Sequence, residues 1–337
     1  MVKKSLCGLS ADEIYEIIEP TGFTASHSIL IANSLYKKHI SDISHFDKIP
    51  KKLKEVLASI AVSGLIEPLA SVVSKDNSVK YLFRTEKGME FETVYIPDRK
   101  RNTVCVSTQS GCRMGCSFCA TAKYGFKGSL SAGEIINQII SIPQAEKVTH
   151  VVFMGMGEPM DNLENVLKAC NIITSEWGLA LGSRNVTVST VGIMPEVEEF
   201  LIRSEYNLAL SLYSPFSAQR RIAVPAELKH PVRQIIELIK GYPVKKKRRL
   251  SIAYVMFKDI NDTDKHLEEL ISVLKNTEIR INLLPYHPVL NEQSCSSSEE
   301  RLQYFKHNLI ISGISASIRK SRGADISAAC GLLAANR

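Results

Sequence analysis

The sequence predicts an α/β chain with a small helical accessory module over 1–65, a short β-meander over 66–97 and a catalytic domain over 98–337 built on a partial (β/α) barrel. Three observations carry this expectation. The apolar period is helical to about residue 65, shortens into strand-like stretches, and from about residue 102 alternates strand with helix. Six or so βα units in a row favour a parallel sheet, because each crossover helix returns the chain to the same sheet end. The segments with chemical content mostly follow strand C-termini, where such folds place their sites.

Ser10-Ala11-Asp12-Glu13 is a capping box that opens the first helix, with Ile14, Ile17 and Ile18 on its apolar face. Further helices fit 25–38 and 51–62. Apolar stretches at 68–73, 80–83 and 91–96 are separated by the turn signals Asp76-Asn77 and Lys87-Gly88, which makes a meander. Strands then fit 103–107, 148–154, 185–190, 206–212, 250–257 and 280–285. Helices fit between them at 131–142, 162–175, 194–203, 231–241 and 262–275, and a helix at 299–312 precedes a strand at 315–319. There is no internal repeat, and the one low-complexity stretch is 294–298.

The chain has 337 residues, of which 45% are apolar, and its mean hydropathy is −0.01, which excludes a disordered chain. No run approaches eighteen apolar residues, and the first residues lead into a helix signal without a secretory stretch. The expectation is a cytosolic protein with no membrane partner. A net charge of +7 and a pI near 8.9 point to a polyanionic partner. Basic residues bunch at Lys37-Lys38, Lys51-Lys52, Arg99-Lys100-Arg101, Arg220-Arg221, Lys245-Lys246-Lys247-Arg248-Arg249 and Arg319-Lys320 with Arg322. Any one such run is ordinarily a solvated face; several together point towards a phosphate-tracking surface.

Eight cysteines in a cytosolic chain argue for metal or catalysis before disulfides. Cys112, Cys116 and Cys119 fall within eight residues, with no fourth cysteine or histidine within six residues on either side. A structural zinc site wants four ligands, usually as two separated pairs. Three thiolates instead suit a [4Fe–4S] cluster with one iron left open, which can chelate the amino and carboxylate groups of S-adenosylmethionine. Zinc or simple packing is the competing reading. Gly155-Met156-Gly157-Glu158-Pro159 follows a strand; its glycines allow close backbone approach and Glu158 can accept from an ammonium, though alone it reads equally as a tight turn.

With these residues in hand, the chain resembles the RlmN/Cfr family of radical S-adenosylmethionine methyltransferases, which modify adenine in 23S ribosomal RNA. The resemblance covers nearly the whole chain. It rests on Glu92-Thr93-Val94-Tyr95-Ile96-Pro97, the run from Cys105 to Cys112, Gly155 to Pro159, Ser189-Thr190, Ser211-Leu212, and Arg319 to Ile326 continuing through Ala329-Cys330-Gly331. Pro159 and the Arg319 run resemble the RlmN branch, which acts on adenine C2, more than the Cfr branch, which acts on C8. The resemblance implies a radical SAM type barrel and S-adenosylmethionine binding through Gly157, Glu158, Ser189, Ser211, Leu212, Tyr213 and His287. It implies that Cys330 carries a methyl group, that Cys105 closes on Cys330 to release product, and that Glu92 removes the ring proton. It further implies tRNA as an additional substrate, an electron donor such as flavodoxin, and a monomer.

The chemistry of the target agrees. Adenine C2 lies between two ring nitrogens and has no lone pair with which to attack a methyl sulfonium, whereas a thiolate is a good nucleophile. The chain departs from the family at Tyr213, where histidine is usual, at His287, where asparagine is usual, and over 224–227, which lacks an isoleucine and an asparagine. Two other readings stand beside C2 methylation at this point. One is a diverged paralogue acting on C8 or another RNA position; the other is a non-catalytic RNA-binding protein with a vestigial metal site. Read singly, Cys105 and Cys330 could be packing residues and Glu92 a solvated one.

Overall fold

The structure, a computed structural model, describes residues 3–99, 101–242, 248–289 and 294–335. Strand β1 (Lys4–Ser5) pairs in parallel with β2 (Ala61–Val62), closing a module of helices α1 (Ala11–Ile18), α2 (Ala25–Ala32) and α3 (Lys51–Ile60). The Ser10 hydroxyl accepts from Glu13 N–H, and the Glu13 carboxylate accepts in turn from Ser10 N–H, which starts α1. The helix expected over 25–38 ends at Ala32, and the chain continues as a wider turn over Asn33–Lys37. That turn buries Tyr36, whose hydroxyl bonds Leu9 O at 2.7 Å and Gly8 N at 3.0 Å. A side chain packed back onto the first strand's exit thus overrides the regular helical period.

Strands β3 (Ala70–Val73), β4 (Val79–Arg84) and β5 (Glu90–Asp98) form the antiparallel meander. β5 then pairs antiparallel with β6 (Arg101–Cys105), so meander and barrel share one sheet. A short ladder of β7 (Gln109–Ser110) and β8 (Gly128–Ser129) flanks helix α4 (Ala120–Tyr124). The winding continues with α5 (Ala132–Ile140), β9 (His150–Phe153), α6 (Leu163–Thr174), β10 (Val186–Thr190), α7 (Glu196–Arg203) and β11 (Asn207–Ser211). It ends with α8 (Ser217–Ala223), α9 (Val232–Gly241), β12 (Leu250–Met256), α10 (Asp264–Leu274), β13 (Arg280–Pro285), α11 (Glu299–Ile311) and β14 (Ala316–Ile318). The sequence reading did not contain α4 or α8, which are too short to show an apolar period.

The ten strands lie in the order β14-β13-β12-β11-β10-β9-β6-β5-β4-β3, and from β6 to β14 every pairing is parallel. Thr103 and Cys105 of β6 share a cavity with Leu284 and Pro285 of β13, although four strands lie between them. The sheet must therefore curl around that cavity, and β6 pairs onward with β5 rather than with β14, which leaves the barrel open. β9, buried along most of its length, reads Val151-Val152-Phe153 because parallel strands are covered on both faces. The core is continuous from Ile14 and Leu53 of the helical module through Val188 and Leu210 to Leu309. Among the described residues no helix is long and apolar enough to cross a membrane.

Candidate active site

The three clustered cysteines sit on the loop between β7 and α4. Gly111 enters it with φ +79°, and a Cβ there would lie 1.7 Å from the Gly125 carbonyl, so only glycine fits the crossing. Ser117 N–H donates to Ala223 O at 3.0 Å, and Ala120 N–H to Gly331 O at 2.8 Å, which ties the loop to α8 and to the C-terminal segment. Cys116 is buried; Cys112 and Cys119 are half-buried. Burial pushes the Cys112 thiol up to about 12 and Cys116 higher still, the neighbouring thiols adding to it at both. Thiols in such surroundings give up their protons to a metal, which supplies the missing positive charge. Among the described residues no three His, Cys, Asp or Glu side chains converge on one ion position.

Beside this loop lies an inner cavity of about 180 Å³, walled by Phe118 and Cys119, by Gly157 and Glu158 after β9, and by Ser189, Ser211 and Cys330. Gly157 has φ +98°, and a Cβ would approach the Gln109 backbone nitrogen to 2.8 Å. The Glu158 carboxylate is buried and accepts from Val191 N–H at 2.9 Å and Met160 N–H at 3.1 Å. Burial nevertheless pushes its pKa up to about 7, outweighing the hydrogen bonds from Thr190, Val191 and Met160. A cationic group in this cavity would find a carboxylate already held in place. The Ser189 and Ser211 hydroxyls, 3.3 Å apart, line the same cavity and offer donors there.

An outer cavity of about 350 Å³ opens through the barrel gap, and Met154, Leu284, Cys330 and Leu333 line both it and the inner one. Cys105 projects into it from β6. Burial pushes the Cys105 thiol up to about 12, with the nearby Cys330 thiol adding to the effect. Cys330 is an exposed residue beside buried Ala329, and enough protein surrounds its thiol to raise its pKa, while the Arg319 guanidinium pulls the other way at both thiols. The two cysteines, 225 positions apart in the chain, thus face one space.

Four expected site residues lie elsewhere. Glu92 is buried beside a third cavity: its Oε1 pairs with Lys80 Nζ at 2.9 Å and its Oε2 accepts from Ala334 N–H at 3.0 Å. Leu212 is a core residue and lines neither cavity; its carbonyl accepts from Arg220 Nε at 2.8 Å. Tyr213, at φ 60°, stacks on Phe118 with ring centroids 5.1 Å apart and so braces the cysteine loop from behind. His287 lines the outer cavity, not the inner one, with Nε2 2.5 Å from Ser321 Oγ. Among the basic runs, Arg220 is fully buried and therefore no part of a phosphate surface: it pairs with Glu227 at 2.5 Å and donates to Val191 O and Leu212 O. Arg248 is likewise buried on Leu201 O. Lys100 and Lys245-Lys246-Lys247 lie outside the described residues.

Sequence reasoning missed Lys80 and the Arg220–Glu227 pair, since a lysine on a meander strand and an Arg-Arg dipeptide look like surface. No local signal marks the pair: α8 buries Arg220 and Ala223 while Ile222 faces solvent.

Residues 106–274 match the Radical SAM superfamily. A probable dual-specificity RNA methyltransferase RlmN of Phocaeicola vulgatus is 42% identical over 331 residues, covering 98% of this chain and 95% of that protein. The chain belongs to the RlmN family of radical SAM enzymes. The dual-specificity RNA methyltransferase RlmN of Pseudomonas fluorescens is 36% identical over 98% of this chain and 90% of its own length. A crystal structure of a radical SAM methyltransferase from Sphaerobacter thermophilus superposes with a TM-score of 0.92 at 34% identity, covering 99% of this chain and 100% of that one. As an RlmN-family radical SAM methyltransferase, the chain uses a [4Fe–4S] cluster and S-adenosylmethionine, and the donor set described above fits both.

Proposed function

We propose that this enzyme methylates C2 of an adenine in 23S ribosomal RNA, with a methyl group carried on Cys330; tRNA is a second substrate in the same reading. The observation that carries it is Cys330 in the wall common to the inner and outer cavities, with Cys105 across the outer one. A thiol placed there can be loaded from one side and can deliver on the other.

Cys112, Cys116 and Cys119 would hold the cluster, and Glu158 with the Ser189 and Ser211 hydroxyls would orient S-adenosylmethionine. When bound, the pair supplies hydrogen-atom abstraction, which polar chemistry cannot provide at a methyl group. Cys330, as thiolate, would accept the cofactor methyl: an S–C bond to Cys330 would form as the sulfonium's S–CH3 bond breaks, leaving a thioether. Arg319 favours that thiolate. After carbon reaches the adenine, the Cys105 thiolate would attack the Cys330 sulfur: the S–S bond forms as the S–C bond breaks, the released carbon takes a proton to become the product methyl, and the unpaired electron of the adduct would leave to the redox centre that supplied it. Glu92 can take the ring proton only after releasing Ala334 N–H and turning from Lys80. His287 and Ser321 belong to the RNA side of the site. A flavodoxin-type electron donor, a monomer and a cytoplasmic location complete the proposal.

Two variants test it. Cys330→Ala should abolish methylation while retaining iron and sulfide, and Cys105→Ala should accumulate a covalent protein–RNA adduct. Mass spectrometry of digested RNA distinguishes C2 from C8 product. Free methylated RNA from the Cys105 variant at the parent rate would sink the release step.

A further inference from the structure

The outer cavity has a mouth of one charge. Arg101 opens β6, where it faces Asp98 of β5, and Arg319, Lys320 and Arg322 follow the edge strand β14, so the cations stand on the two sides of the cavity mouth. Among the described residues lining the cavity, Asp98 is the one carboxylate, and it lies 3.6 Å from Arg322. Arg101 and Arg319 make no side-chain hydrogen bond or ion pair among the described residues; Arg101 lies in the field of Arg319 and of Arg249, which precedes β12, with Asp98 opposing them. Four cations facing one carboxylate are left in net repulsion, and an anion relieves it.

The cavity size is that of a small-molecule pocket, enough for one nucleoside and not for a duplex. An adenine that reaches Cys105 and Cys330 must leave its stack, which brings its own ribose to the opening and leaves the flanking phosphates outside. Those phosphates meet the barrel edges where the arginines stand. A guanidinium matches a phosphodiester with two parallel N–H donors. We propose that Arg101 and Arg319, supported by Lys320 and Arg322, bind the phosphodiesters on either side of the target nucleotide and hold it extruded in the outer cavity. This rests on the RNA-methylation reading. The site takes backbone phosphate, so it anchors any extruded nucleotide and leaves base choice to the cavity interior.

The test uses cluster-loaded enzyme and a fluorescein-labelled RNA stem–loop with an unpaired loop adenosine. Anisotropy titrations from low to high KCl give the affinity and its salt slope. Arg101→Gln and Arg319→Gln should each weaken binding about tenfold at low salt and lower the slope by about one. Arg101→Lys should restore the slope, since it restores the charge. Arg203→Gln, on the outer face with Glu164, should change neither. Iron and sulfide content verifies that each variant holds its cluster. Unchanged slopes in both glutamine variants, with the parent still binding and methylating RNA, overturn the phosphate site alone. A parent enzyme that binds no RNA overturns the RNA reading with it. If inorganic phosphate displaces the RNA well beyond chloride at equal ionic strength, the site is one for small anions and the backbone proposal fails.

Discussion

Glu92 is held by two partners of opposite kind, a lysine from the neighbouring strand β4 and a backbone N–H from the C-terminal segment. Both Lys80 and Glu92 are largely removed from water, so losing one leaves a buried charge unanswered. Lys80→Met should destabilise the fold by about 3 kcal/mol, read from denaturant midpoints at constant slope. A loss under about 0.5 kcal/mol would mean that water reaches the carboxylate, as for an ordinary surface pair. The sequence marks Glu92 only through its motif. Its engagement with Ala334 depends on a contact 242 positions away, which no local pattern encodes.

At the scale of elements, helix starts are written locally and read correctly. Ser131 caps α5 by accepting from Glu134 N–H, while the Glu134 carboxylate accepts from Ser131 N–H at 2.7 Å. Ser131→Ala should cost about 1 kcal/mol of global stability, measured by chemical denaturation, with Ser131→Asp recovering most of it. A neutral Ser131→Ala would show that packing of Ile135, Ile136 and Ile139 sets α5 without its cap. The strands of the parallel sheet are legible for a similar reason: apolar runs bounded by caps and turns recur with the βα period. Helix α4 and the strands β7 and β8 are not legible, because five-residue and two-residue elements hold their shape through the cysteine loop and the C-terminal segment.

Across the whole molecule, the C-terminal segment that bears Cys330 is pinned to the meander turn. Asp76 accepts from Ser78 N–H at 2.9 Å and Gly323 N–H at 3.0 Å, and Asp325 accepts from Ser74 Oγ at 2.5 Å and Lys75 N–H at 3.0 Å. Partial burial works against the charged form of Asp76, but these bonds win and hold its carboxyl at about 2, below the ordinary value near 4. A carboxyl whose folded pKa is depressed stabilises the fold above its unfolded pKa and loses that contribution as pH falls through its folded one. The tie should therefore weaken between about pH 4 and pH 2. Proteolysis at the segment should rise over that window in the parent, and Asp76→Asn should flatten the rise. An equal pH response in that variant would place the acid-sensitive contact elsewhere.

The cysteine spacing, the glycines before Glu158 and the alternating period by themselves specify a parallel α/β fold with three clustered thiols and a glycine-lined turn at a strand end. Each of those is a short-range relation that the backbone geometry of a loop, turn or strand enforces. Which side chains share a cavity is a long-range matter. Only the closing of the sheet decided that Cys105 and Cys330 face each other, that Arg101 meets Arg319 across the gap, and that Arg220 is interior while His287 lines the outer cavity. Curvature and the path of the last segment set those distances, and both come from the packing of the whole core.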